Sequence, residues 1–175
     1  LLETLATDRL RVQDPAAPFR IETGTLNHAA LVGVGAAIDY LASWGRGATL
    51  RARLLDAMAG IGEWEGALAR RYWSEVRAIP GVTVHGPAFA ADGEGRRAPT
   101  VSLTLAGVPA ATVARRLGER GIQVWDGDFY AVRAVEILGL AGLGGLLRTG
   151  FLLYNTVEEV DRLLAGLREI ATGGA

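Results

Sequence analysis

The hydrophobic period of this chain changes once, at Pro80-Gly81, and that change restricts the folds open to it. Before it, apolar residues recur at helical spacing. Leu50, Leu54, Met58, Ile61, Leu68, Tyr72, Val76 and Ile79 lie three, four or seven residues apart, which predicts one helical face over 50–79. Gly60 and Gly62 are placed to bend this helix. Pro80-Gly81 ends it, because the residue before a proline is pushed out of helical backbone. An earlier helix is predicted from His28 to Ser43, with Asn27 as its N-cap and Gly45 and Gly47 as its stop. Gly33 and Gly35 inside it lower helix propensity, so a close backbone approach to a neighbour is expected there. Residues 1–20 end in Asp14-Pro15-Ala16-Ala17-Pro18 and read as strand or loop.

After Gly81 the pattern is strand and helix in alternation. Val82 to His85 reads as a strand, and the stretch Pro87 to Pro99, with Asp92, Gly93, Glu94, Gly95, Arg96 and Arg97, as a polar turn. Thr100 to Leu105 alternates and is β-branched, a strand signature. Pro109 opens a helix to Arg120 that Gly121 closes. Ile122 to Trp125 is a short strand, Tyr130 to Leu138 a helix, and Leu146 to Tyr154 a strand containing Arg148. Thr156 with Glu159 three residues later forms a capping box for a last helix, whose stripe is Val157, Val160, Leu163, Leu164, Leu167 and Ile170. Helices layered on a small, mostly antiparallel sheet make an α+β domain. Residues 1–45 are expected to belong to a different structural unit from residues 46–175.

Charge and composition exclude several functions. The 175 residues carry 18 Lys+Arg and 19 Asp+Glu, a net charge of −1, so no basic field is available for nucleic-acid phosphates. Every one of the basic residues is arginine; the chain has no lysine. Cysteine is absent too, which removes disulfides, thiolate metal sites and a catalytic thiol, and fits a reducing cytoplasm. The longest apolar run, Ala29 to Trp44, is cut by Gly33, Gly35 and Asp39, so no membrane span is expected. Residues 1–11 lack the basic-then-apolar order of a signal peptide.

Most motif candidates are better read as packing or turns. Gly33-Val34-Gly35 lacks the third glycine of a dinucleotide loop, since Ile38 stands there. His28 and His85, the two histidines, fall in different elements and predict no metal site. Asp126-Gly127-Asp128 lacks the remaining ligands of a calcium loop and reads as a turn. No Gly-x-Ser-x-Gly supports a hydrolase. Two features remain. Glu22-Thr23-Gly24-Thr25-Leu26-Asn27-His28 stands at a helix start, where N–H groups and a hydroxyl suit a phosphate or serve as simple caps. Arg148 sits in an apolar strand, where its guanidinium either holds a carboxylate through two parallel N–H bonds or makes a structural ion pair.

Together these segments resemble a family. The run Arg20 to His28 and the stretch Val34 to Leu41 resemble class V aminotransferases of the cysteine desulfurase-like group. So do Leu117 to Asp126 and Arg148 to Leu164. The resemblance spans nearly the whole chain. It implies a fold type I enzyme dependent on pyridoxal 5'-phosphate, homodimeric and cytoplasmic, acting on an amino acid. This chain would be its C-terminal segment: the end of the large domain and a linking helix in residues 1–45, then the small domain in residues 46–175. Gly24 and Thr25 match residues that reach the cofactor phosphate of the partner subunit. Arg148 matches the arginine that binds the substrate's α-carboxylate. The lysine that anchors the cofactor covalently has no counterpart, so the chain by itself is expected to be inactive and to bind no cofactor. The persulfide-forming cysteine of true desulfurases is also missing, as the corresponding stretch Val124 to Tyr130 contains none. The competing expectation is a non-catalytic α+β module for small-molecule binding or dimerisation.

Overall fold

The computed structural model describes residues 2–8, 10–22, 24–89 and 97–173; Thr23 and the turn residues Asp92 to Arg96 fall outside them. The chain divides into two compact units, Leu1–Met58 and Ala59–Ala175.

The first unit is built around helix α1, His28–Ser43. The predicted cap forms: the Asn27 side chain accepts from the Ala30 N–H at 3.0 Å. Residues 2–8 and 10–22 hold a 3-10 turn at Leu2–Thr4 and further turns, with no strand among the described residues. Arg20 ties this stretch together by donating to the carbonyls of Glu3 and Leu5. The expected close approach is not made at Gly33 or Gly35 by any described residue, since nothing lies within 4 Å of a Cβ built at either. It falls at Gly45 instead, where a Cβ would lie 1.9 Å from the Arg53 carbonyl oxygen. That tight turn leads into helix α2, Leu50–Val76, whose first turn is capped by Thr49 Oγ1 accepting from the Ala52 N–H at 3.1 Å. The helix stops at Val76, and Ile79 belongs to the turn that follows. Of its predicted apolar face, Leu50 and Met58 stay exposed, while Leu68, Tyr72 and Val76 are fully buried.

In the second unit, four antiparallel strands form one sheet in the order β1-β2-β4-β3, with β1 Val82–His85, β2 Thr100–Leu105, β3 Trp125–Gly127 and β4 Leu146–Gly150. Alternation in β2 sends Val101, Leu103 and Leu105 to one face. That face packs on the later turns of α2, on α3 (Ala110–Gly118) and on α5 (Val157–Ala171), burying Leu117, Leu147, Leu164, Leu167 and Phe151 in one core. Helix α4, Val132–Ile137, is shorter than the predicted 130–138. The capping box at Thr156 and Glu159 is present in both directions. Arg71 to Asp161 at 2.8 Å and Arg168 to Glu75 at 3.0 Å join α2 to α5 at the surface, where solvent screening leaves such pairs little weight. No helix among the described residues is long and apolar enough to cross a membrane.

Two predicted strands are displaced. The third strand pairs from Trp125 to Gly127, not from Ile122, so Asp126 and Gly127 belong to a ladder and not to a turn. The fourth stops at Gly150 and does not reach Tyr154. Asn155 is the reason: its side-chain oxygen accepts from the Leu152 N–H at 2.7 Å, turning the chain toward the helix cap.

Candidate active site

The sheet face opposite the main core carries polar side chains at His85, Ser102 and Arg148. Cross-strand register places His85 opposite Ser102, Ser102 opposite Arg148, and Arg148 opposite Trp125. These four residues form one row across all four strands. The alternation that sends Leu147 and Thr149 into the core turns Arg148 the other way, and it is exposed. In this row His85 Nε2 lies 3.0 Å from Thr104 Oγ1. Partial burial pushes the His85 pKa down, which favours the neutral ring.

Arg148 makes no ion pair among the described residues, and neither Asp126 nor Asp128 comes within salt-bridge distance. Among the described residues, then, no structural ion pair accounts for an arginine here. Its guanidinium carbon lies 4.7 Å from the centre of the Phe129 ring and 6.0 Å from that of Trp125. A cation over a ring is attracted by the ring's negative face. The N–H donors at the edge of a guanidinium are not used by such a contact, so a carboxylate can still take two of them.

Phe129 follows β3 in a tight turn. Asp128 Oδ1 accepts from the Tyr130 N–H at 2.9 Å, and the Asp128 carbonyl accepts from Ala131 N–H at 2.7 Å. Phe129 and Tyr130 both have left-handed backbone, φ 55 and 61. For bulky residues that conformation is an outlier, and two in succession persist only where their surroundings enforce it. Sequence reasoning singled out Arg148 and passed over Phe129 and Trp125. The period-two position of Trp125 could have been read, but its partner could not, because β4 is not its neighbour in the chain.

The Tyr154-Asn155-Thr156 segment works locally. Asn155 Nδ2 donates to Glu159 Oε2 at 2.9 Å, and the Asn155 carbonyl accepts from Trp64 Nε1 at 3.1 Å. The Asn155 amide and the Thr156 N–H hold the Glu159 carboxyl below its usual pKa.

In the first unit Gly24 and Thr25 stand exposed just ahead of α1. Among the described residues nothing lies within 4 Å of a Cβ built at Gly24. Asn27 occupies one of the helix's first N–H groups, that of Ala30. Elsewhere, a cavity of about 570 Å³ in the second unit is lined by Thr83, Leu103, Thr104, Val108, Val113 and Leu143 among others. Its lining has no ionisable side chain and does not include Arg148. Among the described residues no group of three or more His, Cys, Asp or Glu could hold a metal ion.

Comparison with known proteins matches residues 6–163 to the family model described as aminotransferase class-V. The cysteine desulfurase of Salmonella agona is 34% identical over 154 residues, covering 88% of this chain and 32% of that protein. The chain thus spans about a third of the length of the curated relatives it matches. Among solved structures, the apo cysteine desulfurase of Thermococcus onnurineus is similar with a TM-score of 0.70 and 25% identity, over 89% of this chain and 34% of that one. The cysteine desulfurase CsdA of Escherichia coli, in its S-sulfonic acid form, gives a TM-score of 0.64 and 25% identity, over 90% and 34%.

Proposed function

This chain belongs to the class V aminotransferase family, and on that premise we propose that it is the carboxylate-binding portion of a pyridoxal-phosphate enzyme that acts on an amino acid. The observation that carries the reading is Arg148: exposed on the sheet face opposite the main core, and without an acidic partner among the described residues. A guanidinium in that state suits a planar carboxylate. Pyridoxal 5'-phosphate supplies an electron-withdrawing ring that stabilises charge at the α-carbon of an amino acid. The residues here suit two tasks beside it. Arg148 fixes the substrate by its α-carboxylate, so that the α-carbon is held in one orientation. Gly24 and Thr25, ahead of the α1 N-terminus, offer backbone N–H groups and a hydroxyl for the phosphate, in a homodimer for that of the opposite subunit.

The chain has no lysine and no cysteine. It offers no side-chain amine for the covalent anchor and no thiol on which a persulfide could form. We therefore propose an aminotransferase- or lyase-type reaction without a protein thiol relay, and an isolated chain that is catalytically silent. Treated with pyridoxal phosphate and borohydride, the chain is expected to retain label at its N-terminal amine alone; label on any internal residue overturns the claim of silence. In the complete enzyme, Arg148→Gln removes a charge-assisted bidentate contact of about 1.5–3 kcal/mol, a fall of about 10- to 150-fold in kcat/KM carried mostly by KM. Unchanged kinetics remove Arg148 from the site.

A further inference from the structure

We propose that Phe129 is a positioning residue for Arg148, holding the guanidinium by its ring face so that the N–H fork stays available to an α-carboxylate. The proposal rests on the carboxylate role given to Arg148 above and adds to it a residue in another element.

Three observations support it. The Arg148 guanidinium carbon is 4.7 Å from the Phe129 ring centre, while Trp125, directly opposite in the ladder, is farther at 6.0 Å. The nearer ring is not the one that strand register supplies but one brought in by a turn. Second, Phe129 is anchored from below. It packs against a small cluster of Val135, Leu140 and Leu146, separate from the main core. Leu146 stands two residues before Arg148 on the same strand, so cluster, ring and guanidinium form one column on one face of β4. Third, the turn is held in left-handed backbone at Phe129 and Tyr130, pinned by Asp128, at the point that delivers the ring. A long arginine side chain on an open sheet face otherwise samples many rotamers, and ordering it costs entropy when a ligand binds. A ring beneath the guanidinium limits that freedom beforehand without occupying the donors. An acidic partner would order it as well, but would compete with the ligand.

The test uses arginine side-chain resonances of the whole 175-residue chain, with the Arg148 Nε–H signal assigned by its loss in Arg148→Lys. In the unsubstituted chain this proton is expected upfield of that of Arg133, because it lies in the ring current of Phe129. An unshifted proton overturns the proposal without any variant of Phe129 having to fold. Phe129→Leu should move it back toward the others and weaken the response to L-alanine about 2- to 5-fold. Phe129→Tyr should restore both. If Phe129→Leu leaves either the shift or the affinity unchanged, the positioning role is wrong, while the L-alanine titration of the unsubstituted chain still reports on Arg148. If the unsubstituted chain does not respond to L-alanine at all, the carboxylate reading itself fails and the proposal falls with it.

Discussion

Gly145 stands immediately before the strand that carries Arg148 and presses on Gly127, two residues before Phe129, so its substitution has a calculable cost. Its φ is +85, and a Cβ added there would lie 2.3 Å from the Gly127 carbonyl oxygen and 2.5 Å from its carbon. Both are backbone atoms at the end of β3, and Gly145 is buried. Gly145→Ala therefore carries two penalties. Left-handed backbone costs an alanine about 1–2 kcal/mol. The overlap must be relieved by moving β3 away from β4, and overpacking of this kind costs about 1–3 kcal/mol. The sum is about 2–5 kcal/mol. Gly144 provides the control: its φ is +79, but nothing lies within 4 Å of its added Cβ. Gly144→Ala should cost only the conformational part, about 1–2 kcal/mol. Urea unfolding of the two variants, followed by far-ultraviolet dichroism and compared at constant m, isolates the steric term. Two values within about 0.5 kcal/mol of each other, inside the usual spread of surface substitutions, would refute the close approach of Gly145 to Gly127.

Other substitutions probe separate parts of the second unit. Thr156→Ala removes the hydroxyl that accepts from Glu159 N–H at 3.3 Å and should cost about 1 kcal/mol in thermal or urea unfolding; no loss would show that the capping box contributes nothing. Glu158 is held below its usual pKa by its own backbone N–H and the Thr156 side chain, and Glu159 by Asn155 and the Thr156 backbone. Depressed carboxyl pKa values give stability that is present above the unfolded pKa of about 4.3 and lost as pH falls, so the cost of Thr156→Ala should shrink in acid. Glu65 behaves oppositely: burial pushes its pKa up, the Leu153 backbone offsetting part of the rise. A raised carboxyl pKa gives stability present in acid and lost as pH rises through the folded value, so Glu65→Gln should stabilise at pH 7 and be neutral near pH 4. A uniform effect at both pH values would contradict the assignment. Tyr72 is fully buried, and burial drives its pKa far up, with Thr149 offsetting part of that rise. Its hydroxyl nevertheless completes no hydrogen bond of ordinary geometry among the described residues. Tyr72→Phe should therefore be neutral or stabilise by about 1 kcal/mol; a loss of that size would reveal a working bond to Thr149.

The elements that could be read from the chain are those whose signals are local. Asn27 caps α1 through its own side chain three residues away, and Thr156 with Glu159 does the same for α5. The alternation of Thr100 to Leu105 is a two-residue pattern on one strand, and β2 buries it as written. What could not be read depends on partners far along the chain. Ile122 to Val124 looks like strand, yet pairing begins only at Trp125, because Trp125, Asp126 and Gly127 oppose Arg148, Leu147 and Leu146. The insertion of β4 between β2 and β3 is likewise a choice among long-range pairings. Arg148 was conspicuous because a charge in an apolar run demands an explanation. Phe129 was not, because nothing in the propensity of Phe-Tyr predicts left-handed backbone. At Gly33 and Gly35 low propensity suggested a close packing contact; among the described residues a contact of that kind is found at Gly45.

The central claim is that the donors of Arg148 are available to an amino acid's carboxylate. Its most direct test is a titration of the chain with L-alanine and, in parallel, with ethylamine, which keeps the amine and lacks the carboxylate, following the Arg148 Nε–H resonance. A saturable shift with L-alanine, none with ethylamine, and no response in Arg148→Gln for the backbone amides of β4 is the expected result. Equal shifts with both compounds, or an Arg148 resonance that L-alanine leaves in place, would contradict it.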